Sequence, residues 1–166
     1  MSDDWEGRKG KTLVLGIGNE IRGDDGVGIH VARRVAALLP AAWNGRVDVD
    51  EACTGGFELV DYLRAYERAV IADAIQTEGG APGTVYRFDA AALRLTAHLG
   101  HSHGVNLGGA LAVLEALELG APQDVAVVAV EAAELNEFTE EMTPAVAAAV
   151  DEAAAAVLDE LKSWLA

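Results

Sequence analysis

The chain has 166 residues, long enough for one domain with a substantial core, and its 51% hydrophobic content excludes a disordered protein. Much of that content is alanine, so closely packed helices with few large side chains are expected. Against 12 basic residues stand 27 acidic ones; the formal charge of −15, with only three each of Trp, Tyr and Phe, excludes nucleic acid and an anionic membrane surface as partners.

The N-terminal "MSDDWEGRKGK" lacks the apolar centre of a signal peptide, and no apolar run approaches a membrane span. A lone cysteine, Cys53, cannot make an internal disulfide and suits a reducing cytoplasm. Residues 1–10 read as a loose polar leader and 11–166 as a single domain, because no repeat, linker or composition break divides them. A monomer is the default expectation.

Five short β-branched runs read as strands: "TLVLG", "RVDVDEA", "RAVIADA", "GTVYRF" and "DVAVVAV". Several are almost continuously apolar, as strands covered on both faces tend to be. Helical stripes alternate with them. Val27, Val31, Val35 and Leu38 form the first, closed by Pro40; Phe57, Val60, Leu63 and Tyr66 form a shorter second. Leu107, Leu111 and Leu114 form a third, with Gly120 and Pro122 as stops. The last begins at Thr143 as N-cap with Pro144 in the first turn, and buries Val146, Val150, Val157, Leu161 and Leu165.

The order β-α-β-α-β-β-α-β-α predicts an α/β fold, an open and mostly parallel sheet of about five strands with helices on both faces. "APGTVYRF" follows the third strand with no helix between, so the fourth strand is expected to be an antiparallel edge.

In such a sheet, ligands gather beyond the carboxyl ends of the strands. Asp24 and Asp25 follow strand one, Glu51 closes strand two, Asp73 closes strand three, and His98, His101 and His103 precede the third long helix. Carboxylate oxygens with an imidazole nitrogen suit a divalent transition metal, and a cation relieves repulsion among clustered carboxylates. Each residue also has a plainer role. Asp24 or Asp25 could cap the following helix, Asp73 could simply end a strand, and the three loop histidines could be solvated. His30 reads as a packing or surface residue within a helix, and Cys53 as a buried, inert thiol near a strand end.

A dinucleotide site is the competing reading. "GIGNEI" supplies two glycines of G-x-G-x-x-G, but Ile21 stands where the third is needed for close strand–helix packing. Asp24 and Asp25 would also repel a pyrophosphate, so no nucleotide cofactor is expected.

Taken together, these segments resemble the maturation endopeptidases of nickel–iron hydrogenases. "LVLGIGNEIRGDDGVG" is similar to that family's G-x-G-N…D-[DE]-x-x-G opening. "VIADAI" followed by "APGT", the histidine-bearing "SHGVNLGGAL", and "MTPAV" with its Ser/Thr-Pro step follow in the family's order from Leu13 to about Val146. The resemblance implies a single α/β domain that removes the C-terminal extension of a hydrogenase large-subunit precursor after nickel insertion. It also implies a catalytic and metal-binding set of Asp25, Asp73 and His103, with the nickel presented by the substrate. His103 is preferred to His101 by its spacing before Leu107, while His98 and His101 have no motif support. Two departures stand out: Asp25 occupies a position where some relatives carry Glu, and "DEACTGG" replaces an Asp-Gly-Gly-Thr pattern, leaving the part of Glu51 open. Neither G-x-S-x-G nor H-E-x-x-H occurs, which disfavours a serine or zinc protease. The alternatives are a metal-binding maturation factor that cuts nothing and, behind it, a dinucleotide-binding protein.

Overall fold

The computed structural model describes residues 5–53, 57–89, 91–92 and 104–166. Its five strands are β1 (Thr12–Ile17), β2 (Val47–Ala52), β3 (Arg68–Ile75), β4 (Val85–Asp89) and β5 (Asp124–Glu131). The longer helices are α1 (Val27–Leu38), α2 (Glu58–Leu63), α3 (Gly104–Ala116) and α4 (Pro144–Leu165). The strands lie in the order β2-β1-β3-β5-β4, parallel except for β4, which pairs antiparallel with β5 at one edge. Both the sheet class and the antiparallel edge agree with the sequence expectation.

Alternation along the central strands divides the core into two layers. Val70, Ala72 and Ala74 of β3 face the layer built with α1 and α4, while Ala69, Ile71 and Ile75 face the layer built with α2 and α3. Asp73 falls between Ile71 and Ile75 in this alternation and so belongs to the α2/α3 side. Alanine makes the α1–α4 layer thin. Ala149, Ala153, Ala154 and Ala156 of α4 are buried there beside Val146, Val157 and Leu161.

Three stripe positions differ from expectation. Leu38 is exposed at the end of α1, and Phe57 is exposed just before α2 begins. Tyr66 is buried but lies beyond α2, which ends at Leu63 because Ala65 adopts a left-handed φ of 69°. Arg8 takes up the orphaned carbonyls at that end, donating to Asp61 O at 2.7 Å and to Arg64 O at 3.3 Å. Its guanidinium also sits over the rings of Trp5 and Tyr66, 4.6 and 5.0 Å from their centroids.

The close-packing glycine missing at position 21 is supplied further on. A Cβ at Gly28, in the first turn of α1, would overlap the carbonyl oxygens of Ile17 and Ala72. Only a bare Cα lets the start of α1 press on the ends of β1 and β3 together. Gly18 does the same for the preceding turn, since a Cβ there would strike the Asp25 carbonyl oxygen. Among the described residues, no helix is long and apolar enough to cross a membrane.

Candidate active site

Strand order changes direction at β1: the connection from β1 leads outward to β2, and β3 lies on its other side. Crevices at such switch points are where open α/β sheets bind ligands. Two acidic segments meet there. A 3-10 turn, Gly23–Gly26, carries Asp24 and Asp25 beyond β1, and Asp73 lies near the carboxyl end of β3. The turn packs against both α1 and β3. Asp24, Asp25 and Asp73 are 1%, 6% and 6% exposed, so all three carboxylates are buried at one rim.

The adjacent aspartates have separate jobs. Asp24 Oδ1 accepts the Thr143 N–H at 2.7 Å, and its Oδ2 accepts the N–H groups of Ala133 and Glu134 at 2.9 and 3.2 Å. The Thr143 hydroxyl lies within 3.0 Å of both oxygens. These donors come from the segment after β5 and from the start of α4, so Asp24 is a structural acceptor that joins distant chain segments. Neither aspartate caps α1: its N-cap is Gly26, which makes no side-chain capping bond. Thr143 occupies the N-cap position of α4 and Pro144 its first turn, as expected, but the threonine hydroxyl is spent on Asp24 and makes no cap.

Asp25 is held differently. Its Oδ2 accepts the Asn19 N–H at 3.1 Å, which orients the carboxylate from within its own loop. Asp73 Oδ1 accepts the N–H of Ala74 at 2.8 Å. Two buried carboxylates at one rim offer hard oxygens of the kind that divalent metal ions take as ligands. The third expected member, His103, lies outside the described residues, as do His98 and His101. It immediately precedes Gly104, the first residue of α3, whose Leu107, Ala110 and Leu111 pack in the layer that Asp73 faces. Among the described residues no group of three His, Cys, Asp or Glu could hold a metal ion.

Glu51 stands apart, on the edge strand β2. Arg33 holds it through Nε at 2.8 Å and Nη2 at 2.9 Å while gripping Glu20 through Nη1 at 2.7 Å and Nη2 at 2.9 Å. The guanidinium hydrogen bonds to Glu20 pull that carboxyl below its ordinary range, against a smaller opposing effect of burial. They raise the Arg33 pKa as well, with the Glu51 bonds contributing most. Glu51 is therefore half of a surface clamp tying β2 to α1 and to the loop after β1. His30 lies on α1, half-exposed, with Nε2 3.6 Å from Glu20 Oε1. Cys53 is exposed and not buried as its position suggested, because it falls just past the last residue of β2.

One buried acid escaped the sequence reading. Glu131, 1% exposed at the end of β5, accepts the Thr77 N–H at 2.7 Å and its hydroxyl at 2.9 Å. Gly80 lies so close that a Cβ there would overlap the Glu131 carboxylate. This ties down the loop that follows Asp73. An acid directly ending the apolar run "VAVVAVE" was the available signal.

Comparison with known proteins agrees with this architecture. A family profile described as "Hydrogenase maturation protease" matches residues 29–160, most of the chain. The hydrogenase expression/formation protein HupD of Rhodobacter capsulatus is 28% identical over 158 residues, covering 93% of this chain and 72% of that protein. The hydrogenase 2 maturation protease of Escherichia coli is 31% identical over 77 residues, 45% of this chain and 44% of that protein. The solved structure of the hydrogenase maturating endopeptidase HybD from E. coli superposes with a TM-score of 0.72 at 26% identity, covering 92% of this chain and 93% of that one. The chain belongs to the hydrogenase maturation protease family and is a peptidase.

Proposed function

We propose that this protein is the endopeptidase that removes the C-terminal extension of a nickel-loaded nickel–iron hydrogenase large-subunit precursor. The names of its relatives supply the substrate class. The observation that carries the site is the unequal treatment of Asp24 and Asp25: the first is committed to donors from the β5–α4 segment, which leaves Asp25 to work with Asp73. The buried position of both carboxylates at the β1/β3 switch point supports their use on a cation brought by the substrate. His103, on the residue before α3, completes the set in this reading.

In this reading the nickel is part of the substrate and supplies positive charge at the docking point. Asp25 and Asp73 offer it oxygens and His103 offers a nitrogen; a precursor without nickel lacks the charge that offsets two buried carboxylates. Its binding is weaker by that difference, so metal loading is read directly through differential affinity. One of the same carboxylates takes a proton from the attacking water and passes it to the amide nitrogen as the C–N bond breaks, so the large subunit gains a new terminal carboxylate and the extension leaves with a free amine. The protein works as a monomer in the cytoplasm, in keeping with its acidic surface and single cysteine.

The test is to incubate the protein with nickel-loaded and nickel-free precursor and follow the large subunit by mass spectrometry. Loss of a C-terminal peptide from the loaded form alone is expected. If the loaded precursor stays intact while metal binds, the nickel-gated cleavage of this precursor is wrong.

A further inference from the structure

Phe138 is 81% exposed and Ile21 is 51% exposed, on two loops at the carboxyl rim of the sheet. Their backbones are joined: the Thr139 N–H donates to Ile21 O at 3.1 Å, and the Gly23 N–H donates to Thr139 O at 2.7 Å. Single exposed apolar residues are ordinary on protein surfaces. These two differ in how firmly they are presented. Asp24 grips the start of the segment at Ala133 and Glu134 and its end at Thr143, and Leu135 is buried beneath it. Arg22 reaches across to Asn136 Oδ1 at 3.3 Å. The ordering cost of presenting Phe138 is already met in the free protein, which favours binding by a preformed surface.

The surroundings specify the partner's chemistry. Glu134, Glu137, Glu140 and Glu141 are exposed around Phe138, and residues 133–142 contain no Lys or Arg. The opposite surface must offer an apolar recess for the phenyl ring and a border of basic residues. Ile21 lies in the same loop as Asn19, which orients Asp25, so whatever seats on the patch sits beside the carboxylates.

We propose that Phe138 and Ile21 form a docking patch for the folded body of the precursor, which contributes an apolar recess bordered by Lys and Arg. This rests on the endopeptidase reading above. The patch holds the precursor independently of its metal, and the buried carboxylates then test what it carries.

The experiment measures binding of nickel-free precursor, which is not cut, by surface plasmon resonance. Phe138→Ser is expected to weaken binding about 10-fold or more, as loss of an interface anchor does. Ile21→Ser should weaken it further in the double variant, and Glu137→Lys with Glu140→Lys should weaken it and flatten its salt dependence. With nickel-loaded precursor, Phe138→Ser should raise KM and leave kcat within about 2-fold. Wild-type affinity in Phe138→Ser, or tight and Phe138-dependent binding of the isolated extension peptide, overturns the proposal. Failure of wild-type protein to bind nickel-free precursor overturns it as well, even if the loaded form is cut. Phe138-dependent binding without any cleavage of loaded precursor supports the patch and overturns the nickel-gated cleavage proposed above.

Discussion

The backbone N–H of Thr143 donates to Asp24 Oδ1 at 2.7 Å, bridging residues 119 positions apart. Through this contact the start of α4 and the acidic turn after β1 are held as one unit. Asp24 is 1% exposed, so removing its carboxylate takes the acceptor from the part-buried N–H groups of Thr143, Ala133 and Glu134 and leaves a hole where the chain segments join. Asp24→Ala should cost about 2–4 kcal/mol, since hydrogen bonds to a charged group contribute roughly 1.5–3 kcal/mol each and water reaches part of the vacated site. Urea unfolding followed by circular dichroism measures this. A wild-type midpoint would show that Asp24 is not the fastener described.

Asp25 and Asp73 should behave in the opposite way. Asp25→Asn and Asp73→Asn retain the shape of the side chain and the contacts with Asn19 and Ala74, so the fold should survive with a small change in midpoint. Cleavage of nickel-loaded precursor should fall by far more than ~10-fold, as loss of a metal-facing group does. His103→Ala should do the same, whereas His98→Ala and Cys53→Ala should retain near-normal rates. Turnover at the wild-type rate by Asp73→Asn would remove that carboxylate from the site.

Tyr66 gives an alkaline signature. Burial, then the nearby Asp48 carboxylate that accepts its hydroxyl at 3.0 Å, pushes its pKa from 10.0 up to about 12. The folded protein thus holds this proton more tightly than the unfolded chain does. Its contribution is complete below pH 10 and is lost as pH rises through about 12. Tyr66→Phe should lose about 1 kcal/mol at neutral pH by deleting the hydrogen bond. It should also flatten the decline of the urea midpoint across that alkaline window. An identical decline in both proteins would assign it elsewhere.

Gly28→Ala tests the close approach at the switch point. The added methyl would meet the carbonyls of Ile17 and Ala72, which are backbone atoms of two central strands and cannot swing aside. A loss of about 2–3 kcal/mol is expected from such overpacking, although alanine is the better helix former. Thermal unfolding reads it, and a gain in midpoint would show that α1 can shift outward without penalty.

Much of the fold was legible because its signals are local. The runs "TLVLG", "RAVIADA" and "DVAVVAV" declare buried strands by β-branching alone, and the missing helix before "GTVYRF" declares the antiparallel edge. Phe57 and Leu38 were misread for a related reason. Helical spacing shows which residues share a face, but it does not show where the helix stops or whether a neighbour arrives to cover the last turn. Tyr66 lies beyond a break at Ala65 that no glycine or proline announces.

The sequence by itself determined the class of sheet, the alternation of helices with strands, and the position of acidic residues at strand ends, because these follow from side-chain period and branching within a few residues. Only the tertiary structure decided that Asp24 is a fastener and Asp25 is not, that Gly28 replaces the glycine absent at position 21, that Glu131 secures the loop after Asp73, and that Glu51 is taken by Arg33. Two neighbouring aspartates are chemically identical in a sequence. What separates them is which distant N–H groups the folded chain brings within 3 Å or so of each, and a hydrogen bond between residues 119 apart leaves no trace in local composition.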